Sequence, residues 1–374
     1  MERSQVVIVG AGPVGLSAAL CLAGHGVAPI VLEKRAGLSA ASKASTFHAP
    51  TLEMIEEFGA LAPMLERGRI ADRIQYRTSD GAVMAEFDHA LLDGLTPHPF
   101  RLHLEQSALT PLLLERLVAG GRGEVRFGWS LEGVATDEGG ATLDCLDPDG
   151  RPRQIRADYV LGADGAHSTV REALGIALEG ESYPGQVLRL VVLDDLARIL
   201  PGLGQISYIF APDGTSLSLL QMPDCWRVII RLPEGFDADA VIRPEWYMPV
   251  VRRYIPGLDA PLRLREHDIY GARKMLAGTH GRGRVHLIGD ALHLTNTRGG
   301  MNMNCGIHDA YEMGAAIAAA IAAGDPAIAE RAAAHRHAIA RNELLPRTDR
   351  NVRGGAEWLA HVQAVAGDPA QARD

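Results

Sequence analysis

What this sequence has little of narrows the field before any motif is read. Its 374 residues include 4 cysteines. Cys21, Cys145, Cys225 and Cys305 are scattered without paired spacing, which argues against a zinc site or a disulfide framework and suits a reducing compartment. Basic charge is short as well. With 37 Lys and Arg against 46 Asp and Glu the formal net charge is -9, so a nucleic-acid or anionic-membrane surface, which needs a lysine- and arginine-rich face, is not expected. No apolar run reaches the roughly 18 residues of a membrane span, and the chain opens on the strand-like MERSQVVIVG rather than a basic, apolar leader. The expectation is a cytoplasmic protein without a membrane span. Ser-His-Asp patterns, zinc-ligand spacing, a P-loop, internal repeats and low-complexity tracts are missing too. What is present is a 47% hydrophobic chain, long enough for two domains or one with a large insertion. Small-molecule chemistry is the class left open.

The apolar run at 5–9, a helical pattern over 14–24 and the apolar APIVLE ending at Glu33 predict a β-α-β unit. Helices are predicted around Thr51 to Glu57 and over EQSALTPLLLERLVAGG, where the leucines share one face and glycines stop the run. IQYRTSDGAVMAEF reads as two strands about an Asp80-Gly81 turn. Alternation in QISYIF and WRVIIRL, within 183–270, predicts an antiparallel sheet inserted in one continuous α/β framework. VHLIGD returns to the α/β pattern, and the chain beyond Asp309 reads as helical.

VIVGAGPVG places Gly10, Gly12 and Gly15 in a G-x-G-x-x-G pattern between a strand and a helix. The first glycine permits the tight turn, the second lets a pyrophosphate approach the backbone, and the third lets helix and strand pack closely. Glu33 ends the next strand, where a carboxylate can accept from ribose hydroxyls, with Lys34 beside it. A dinucleotide is expected, and at this point NAD and FAD are both open. YVLGADGAHSTVREALGI delivers Asp164 and Gly165 after a buried strand and starts a capped helix near Ser168. RVHLIGDALHLTNTRGGMNMNCGIHDAYEMG delivers Asp290 from a strand and runs through a glycine turn into a long helix.

Together, in order and spacing, these motifs resemble the class A flavoprotein monooxygenases, the family that includes 4-hydroxybenzoate hydroxylase, from Val6 to about Ala323. The resemblance implies an α/β fold: a Rossmann-like FAD-binding domain (1–72, 97–180 and 270–323), an inserted, mainly antiparallel substrate-binding sheet domain (73–96 and 181–269) and C-terminal helices (324–374). Gly10, Gly12, Gly15 and Glu33 would hold the ADP part of FAD, Lys43 its phosphates in place of the family's arginine, and Gln106 would contact the cofactor. Asp164 would serve FAD and the nicotinamide nucleotide, and Asp290 the ribityl chain. Gly300, Asn302 and Met303 would lie beneath the flavin, with the amide end of the long helix turned toward its N1 and C2 oxygen. The chain departs from the family at Asn296 and Thr297, where a proline pair is common, and at Asn302, where a glycine is.

The implied reaction is hydroxylation of a phenolic or heteroaromatic small molecule, with NADPH or NADH reducing FAD and O2 adding to flavin C4a as the hydroperoxide. His293, Arg298 and Tyr208 are the catalytic candidates, and Arg189, Arg227 and Tyr270 further pocket candidates. His48 is open between a packed residue and a flavin-side role. A homodimer is a family expectation, and no metal is expected. Other FAD enzymes of the same fold, a halogenase or an isoprenoid-chain reductase, are the rival readings, although no WxWxIP segment occurs. A non-enzymatic flavin-binding redox sensor is the rival of a different class.

Overall fold

The apolar run near the N-terminus becomes the central strand Glu2–Val9. It pairs in parallel with Pro152–Gly162 on one side and Ile30–Glu33 on the other, and Val285–Leu287 and Glu124–Phe127 extend the parallel set outward. A computed structural model describes residues 1–41, 44–183, 185–211, 215–296, 299–351 and 356–373. Val6, Val7 and Ile8 are all fully buried because both sheet faces are covered, which is why this strand reads as a continuous apolar run and does not alternate. Helices Pro13–Gly24, Gln106–Ala119 and Met301–Ala323 bury Leu16, Leu22, Leu109, Leu113, Ile307 and Met313 in the core on one side. The first and last of these helices touch through glycines. A Cβ on Gly306 would come within 2.8 Å of Val14 Cγ2, and one on Gly314 within 2.8 Å of Cys21 Cβ.

The alternating segments form a seven-stranded sheet in the order Leu264–Tyr270, Val187–Val192, Trp226–Arg231, Ser216–Gln221, Ile206–Phe210, Arg73–Thr78, Val83–Asp88. All pairs are antiparallel except Ile206–Phe210 with Arg73–Thr78. One face packs Leu188, Leu217 and Val228 against Tyr247 and Val251 of the amphipathic helix Pro244–Tyr254. Each such side chain contributes about 1.5–3 kcal/mol on burial. The opposite face carries Tyr76, Tyr208 and Ser218, which are neighbours in register. It looks toward a small sheet of Thr46–Phe47, Arg101–His103 and Arg69–Ala71. The class is α/β with an inserted, mainly antiparallel sheet.

The C-terminal helices, which the mixture of alanine and charge suggests as surface helices covering the cofactor domain, keep an exposed charged face and bury the other. Helix Ala327–Ile339 lies along Met301–Ala323 with Ala329 and Ala333 buried, since alanine lets two helices approach closely, and its Arg336 is only 6% exposed. Helix Ala356–Ala366 packs on the far edge of the large sheet, where the Trp358 ring lies 5.5 Å from that of Tyr76 and 5.9 Å from that of Phe210. Among the described residues no helix is long and apolar enough to cross a membrane.

Candidate functional site

The glycine turn after Glu2–Val9 separates two tasks that glycine can perform. A Cβ on Gly15 would stand 1.9 Å from the Gly10 carbonyl oxygen, so the protein itself demands glycine there. Gly12 is the reverse case. Its backbone is extended (φ -77, ψ -178), open to any residue, and a Cβ would meet nothing within 4 Å. The space beyond Gly12 is therefore free for a ligand. Gly12 also caps helix Pro13–Gly24 without any side-chain capping bond, so the positive helix end opens on that space. Glu33, 7% exposed, closes the far side: Oε2 accepts from the Ala11 amide at 3.1 Å and Oε1 from that of Arg35 at 3.0 Å. Lys34 is exposed. These residues fit the ADP half of a dinucleotide.

Asp164 turns back on its own segment. Its carboxylate accepts from Ser168 Oγ and from the Val170 amide at 3.1 Å, bonds that hold the start of helix Thr169–Ala173, while burial pushes its pKa up. Asp290, half-buried at the end of VHLIGD, accepts from Asn302 Nδ2 at 2.7 Å. Asn302 Oδ1 in turn accepts from His293 Nδ1 at 3.1 Å, and His293 Nε2 donates to Asp309 Oδ2 at 2.8 Å. Asp309 also receives the Gly289 amide at 3.0 Å and Arg336 Nε at 2.7 Å. Both ring nitrogens of His293 thus face acceptors, which requires the imidazolium. Burial alone opposes that charge, but the Asp309 carboxylate outweighs it and raises the pKa of His293 well above its ordinary value. Asp309 is burdened by burial too, yet His293 and Arg336 hold it below the usual carboxylate range. His293 and Asp309 are fully buried. No atom of the His293 ring is left for a substrate, so its geometry is that of a group positioning Asn302 and, through it, Asp290. The His293, Cys305 and Asp309 cluster offers metal-type ligand atoms, but Arg336 already occupies the carboxylate.

Helix Met301–Ala323 starts from Gly300 in the left-handed region (φ 65), where a Cβ would press on Thr46 Cβ at 3.0 Å. No side chain caps it. Asparagine often caps a helix start, but the asparagines here work elsewhere. Asn302 holds Asp290, and Asn304 donates to the Thr46 and Gly300 carbonyls at 2.8 and 2.6 Å while accepting from the His48 amide at 3.0 Å. Met303 is buried in the core beside them. His48 Nε2 donates to the Gly299 carbonyl at 2.8 Å; burial, reinforced by Arg101, keeps its pKa well below the ordinary value, so the ring is neutral. Gln106 opens its helix with its amide on the Ala44 carbonyl at 3.1 Å.

On the sheet side, Tyr208 sits in register with Tyr76, their rings 5.4 Å apart. Arg189 lies in cross-strand ion pairs with Asp268 (2.8 Å) and Glu266 (3.3 Å). Arg227 spans to the other layer, donating to Ser45 Oγ at 2.8 Å and to Glu105, and Tyr270 is half-buried at a strand end. Lys43, Thr297 and Arg298 lie outside the described residues. Sequence reasoning missed Arg101, Asp309 and Arg336. The i,i+7 spacing of Asn302 and Asp309 on one helix was visible, but Arg336 belongs to another helix and Arg101 to a three-residue strand too short to show periodicity.

Comparison with known proteins agrees with this geometry. The profile of the FAD-binding domain family matches residues 3–344. This chain belongs to the class A FAD-dependent aromatic hydroxylases. The para-nitrophenol 4-monooxygenase of a Pseudomonas species is 31% identical over 328 residues, which cover 85% of this chain and 79% of that protein. Rifampicin monooxygenase of Streptomyces venezuelae is 30% identical over 92% of this chain and 70% of its own length. Pentachlorophenol 4-monooxygenase of Sphingobium chlorophenolicum is 31% identical over 84% of this chain and 58% of its own. Among solved structures, p-nitrophenol 4-monooxygenase from Pseudomonas putida superposes with a TM-score of 0.90 at 27% identity, covering 100% of this chain and 96% of that one. The chain is a flavin-dependent monooxygenase.

Proposed function

We propose that this hydroxylase acts on a phenolic or heteroaromatic small molecule, with FAD resident, NADPH or NADH as reductant and O2 as co-substrate. The observation that supports this reading most is a convergence on Val14. Gly289 and Gly306 both lie against its side chain, at 3.0 and 2.8 Å for an added Cβ, so the glycine loop, Asp290 and helix Met301–Ala323 adjoin one another. FAD would lie along the line from Glu33 past Gly12 to Asp290 and Gly300. Along it the uncapped start of Pro13–Gly24 would take the pyrophosphate, with Lys34 and Lys43 as cations of the ADP end. Glu33 would take ribose hydroxyls, Asp290 the ribityl chain, and Gln106 and Asp164 further cofactor contacts.

Bound FAD supplies hydride acceptance and oxygen activation. The protein's share is to hold and to exclude. The amides at the start of Met301–Ala323, with Gly300, Asn302 and Met303 at the turn, stabilise negative charge on the flavin ring without a basic side chain. Tyr76, Tyr208 and Phe210, closed over by Trp358, give the facing wall an apolar surface that limits water. The test is the rate of NADH and NADPH oxidation by the FAD-loaded protein, with and without a panel of phenols and heteroaromatics, products read by mass. Oxidation stimulated by one compound, with one oxygen atom added to it, is expected. Flavin that stays oxidised with both nucleotides under every condition contradicts the reading and favours a partner-reduced halogenase or a redox sensor.

A further inference from the structure

Strand Arg101–His103 sends alternate side chains to opposite faces. Leu102 is fully buried in the core of the parallel-sheet layer, so Arg101 and His103 point the other way, toward the large sheet. His103 shows the direction, because its Nδ1 donates to the Gln221 carbonyl of strand Ser216–Gln221 at 2.7 Å. Arg101, two residues earlier, faces Tyr76 and Tyr208 on that sheet and His48 and His89 on its own side. Although they lie between two layers, Arg101, His48, Tyr76 and Tyr208 all remain partly exposed, so together they border a recess that a small molecule can reach. The guanidinium donates no hydrogen bond and makes no ion pair to any described residue.

The groups around Arg101 make that unusual. His48, His89 and His103 all have depressed pKa values, through burial first and the Arg101 charge second or later, so they are neutral neighbours. Among the described residues, the groups that favour the Arg101 charge are the Tyr208 and Tyr76 phenols, and no carboxylate stands with them. Burial works against its charge. Arg227, a buried arginine between the same two layers, is by contrast matched to Glu105 and Ser45. A partly buried guanidinium without an anion is a poor structural element but a good receptor for one, since charge-assisted hydrogen bonds to an oxyanion are shorter and stronger than neutral ones.

We propose that Arg101 is the substrate-binding residue that receives an ionised aromatic hydroxyl, so that the enzyme selects phenols and binds them as phenolates in the recess between Arg101 and the Tyr76–Tyr208 wall. This rests on the monooxygenase reading above. The hydroxyl proton leaves to water on binding, and the ionised oxygen enriches the ring positions ortho and para to it, where an electrophilic oxygen atom adds most readily. The two tyrosines flank the ring, and the neutral histidines offer no competing cation.

The test uses the colour of bound 4-nitrophenol, whose ionised form absorbs at longer wavelength, in the FAD-loaded protein across a pH series, with pentachlorophenol and 4-hydroxybenzoate bound by calorimetry in parallel. The wild-type protein is expected to lower the pH at which bound 4-nitrophenol ionises by about one unit or more, equivalent to about tenfold tighter binding of the phenolate than of the phenol. Arg101→Gln should abolish that shift and weaken phenolate binding about tenfold, and Arg101→Lys should restore part of both. A merely structural Arg101 would change folding or FAD content but leave the ionisation shift of whatever binds intact. Equal affinity for phenol and phenolate, an unchanged shift in Arg101→Gln, or no binding of any of the three with FAD in place overturns the proposal. So does tight binding of 4-nitrobenzoate, which has a carboxylate and no hydroxyl, without any shift for 4-nitrophenol. Shifted binding without nucleotide-dependent oxygenation leaves Arg101 as a phenolate receptor and removes the monooxygenase reading; oxygenation without the shift does the reverse.

Discussion

Around the start of helix Met301–Ala323 the buried charges answer one another: Asp309 takes bonds from His293, Arg336 and Gly289, and His293 passes the arrangement through Asn302 to Asp290. Across the recess, Arg101 faces phenols and neutral histidines and is answered by no carboxylate among the described residues. The contrast teaches what each end is for. A cofactor site is filled continuously, so its supporting groups can be fixed in advance by a closed network that holds their geometry. A substrate site empties on every turnover, and its recognising charge must be left unmatched until the substrate arrives.

The largest expected effect comes from opening the closed end. Asp309→Ala strands the His293 and Arg336 charges in the core and should cost about 3–5 kcal/mol of unfolding free energy. Denaturant titration reads this directly, and a loss below about 1 kcal/mol would mean that the network is not the rigid half of the comparison. Next in size are two glycines of one loop. Gly15→Ala drives a Cβ into the Gly10 carbonyl and should destabilise the apo fold by about 1–3 kcal/mol, as overpacking does. Gly12→Val meets open space, so it should leave the apo melting temperature unchanged while reducing FAD affinity by about tenfold or more, a ligand-side loss near 1.4 kcal/mol. If both variants fail in the apo melt, the space beyond Gly12 is not a ligand's.

The closed network also carries a pH signature. The folded-state pKa of His293 lies above its unfolded value of about 6.5. Its contribution is therefore complete below that value and fades as pH rises through the raised folded pKa. Asp309 has the opposite sign, with its contribution present above the ordinary carboxylate value and lost only as pH falls through about 2. Stability should fall from neutral to alkaline pH in the wild type and much less in His293→Gln; parallel melting curves for the two would count against the imidazolium. The smallest effect marks the rim. Arg189→Ala, which breaks surface-facing pairs to Asp268 and Glu266, should cost only about 0.2–1 kcal/mol, and a larger loss in the same denaturant titration would move that arginine inward.

The sequence made the cofactor end easy to read because each of its parts is a local pattern. The strand, glycine turn, helix and Glu33 follow one another within 33 residues, and the GADG and LIGD segments repeat that logic of a buried strand ending on an acid. The inserted sheet was legible from alternation in QISYIF and WRVIIRL. What stayed hidden depends on long-range meetings. The Arg336–Asp309 bond joins two helices, and alanine-rich sequence with interspersed charge looks like surface until a buried partner is seen. His293 looked like an acid or base because it follows Asp290 closely, and only the tertiary arrangement shows both its nitrogens engaged. Arg101 could not stand out, since a three-residue strand gives no period and its defining property is the lack of a carboxylate partner among the described residues.

The central claim is that the two ends meet, with the aromatic ring held beside the flavin ring. The most direct measurement is the flavin absorption band of the FAD-loaded protein during titration with 4-nitrophenol, pentachlorophenol and 4-hydroxybenzoate, alongside calorimetry of the same titrations. A saturable perturbation of the flavin band, with the same dissociation constant that calorimetry gives, is the predicted result. Phenol binding that calorimetry detects but the flavin band ignores would place the substrate elsewhere and contradict the account.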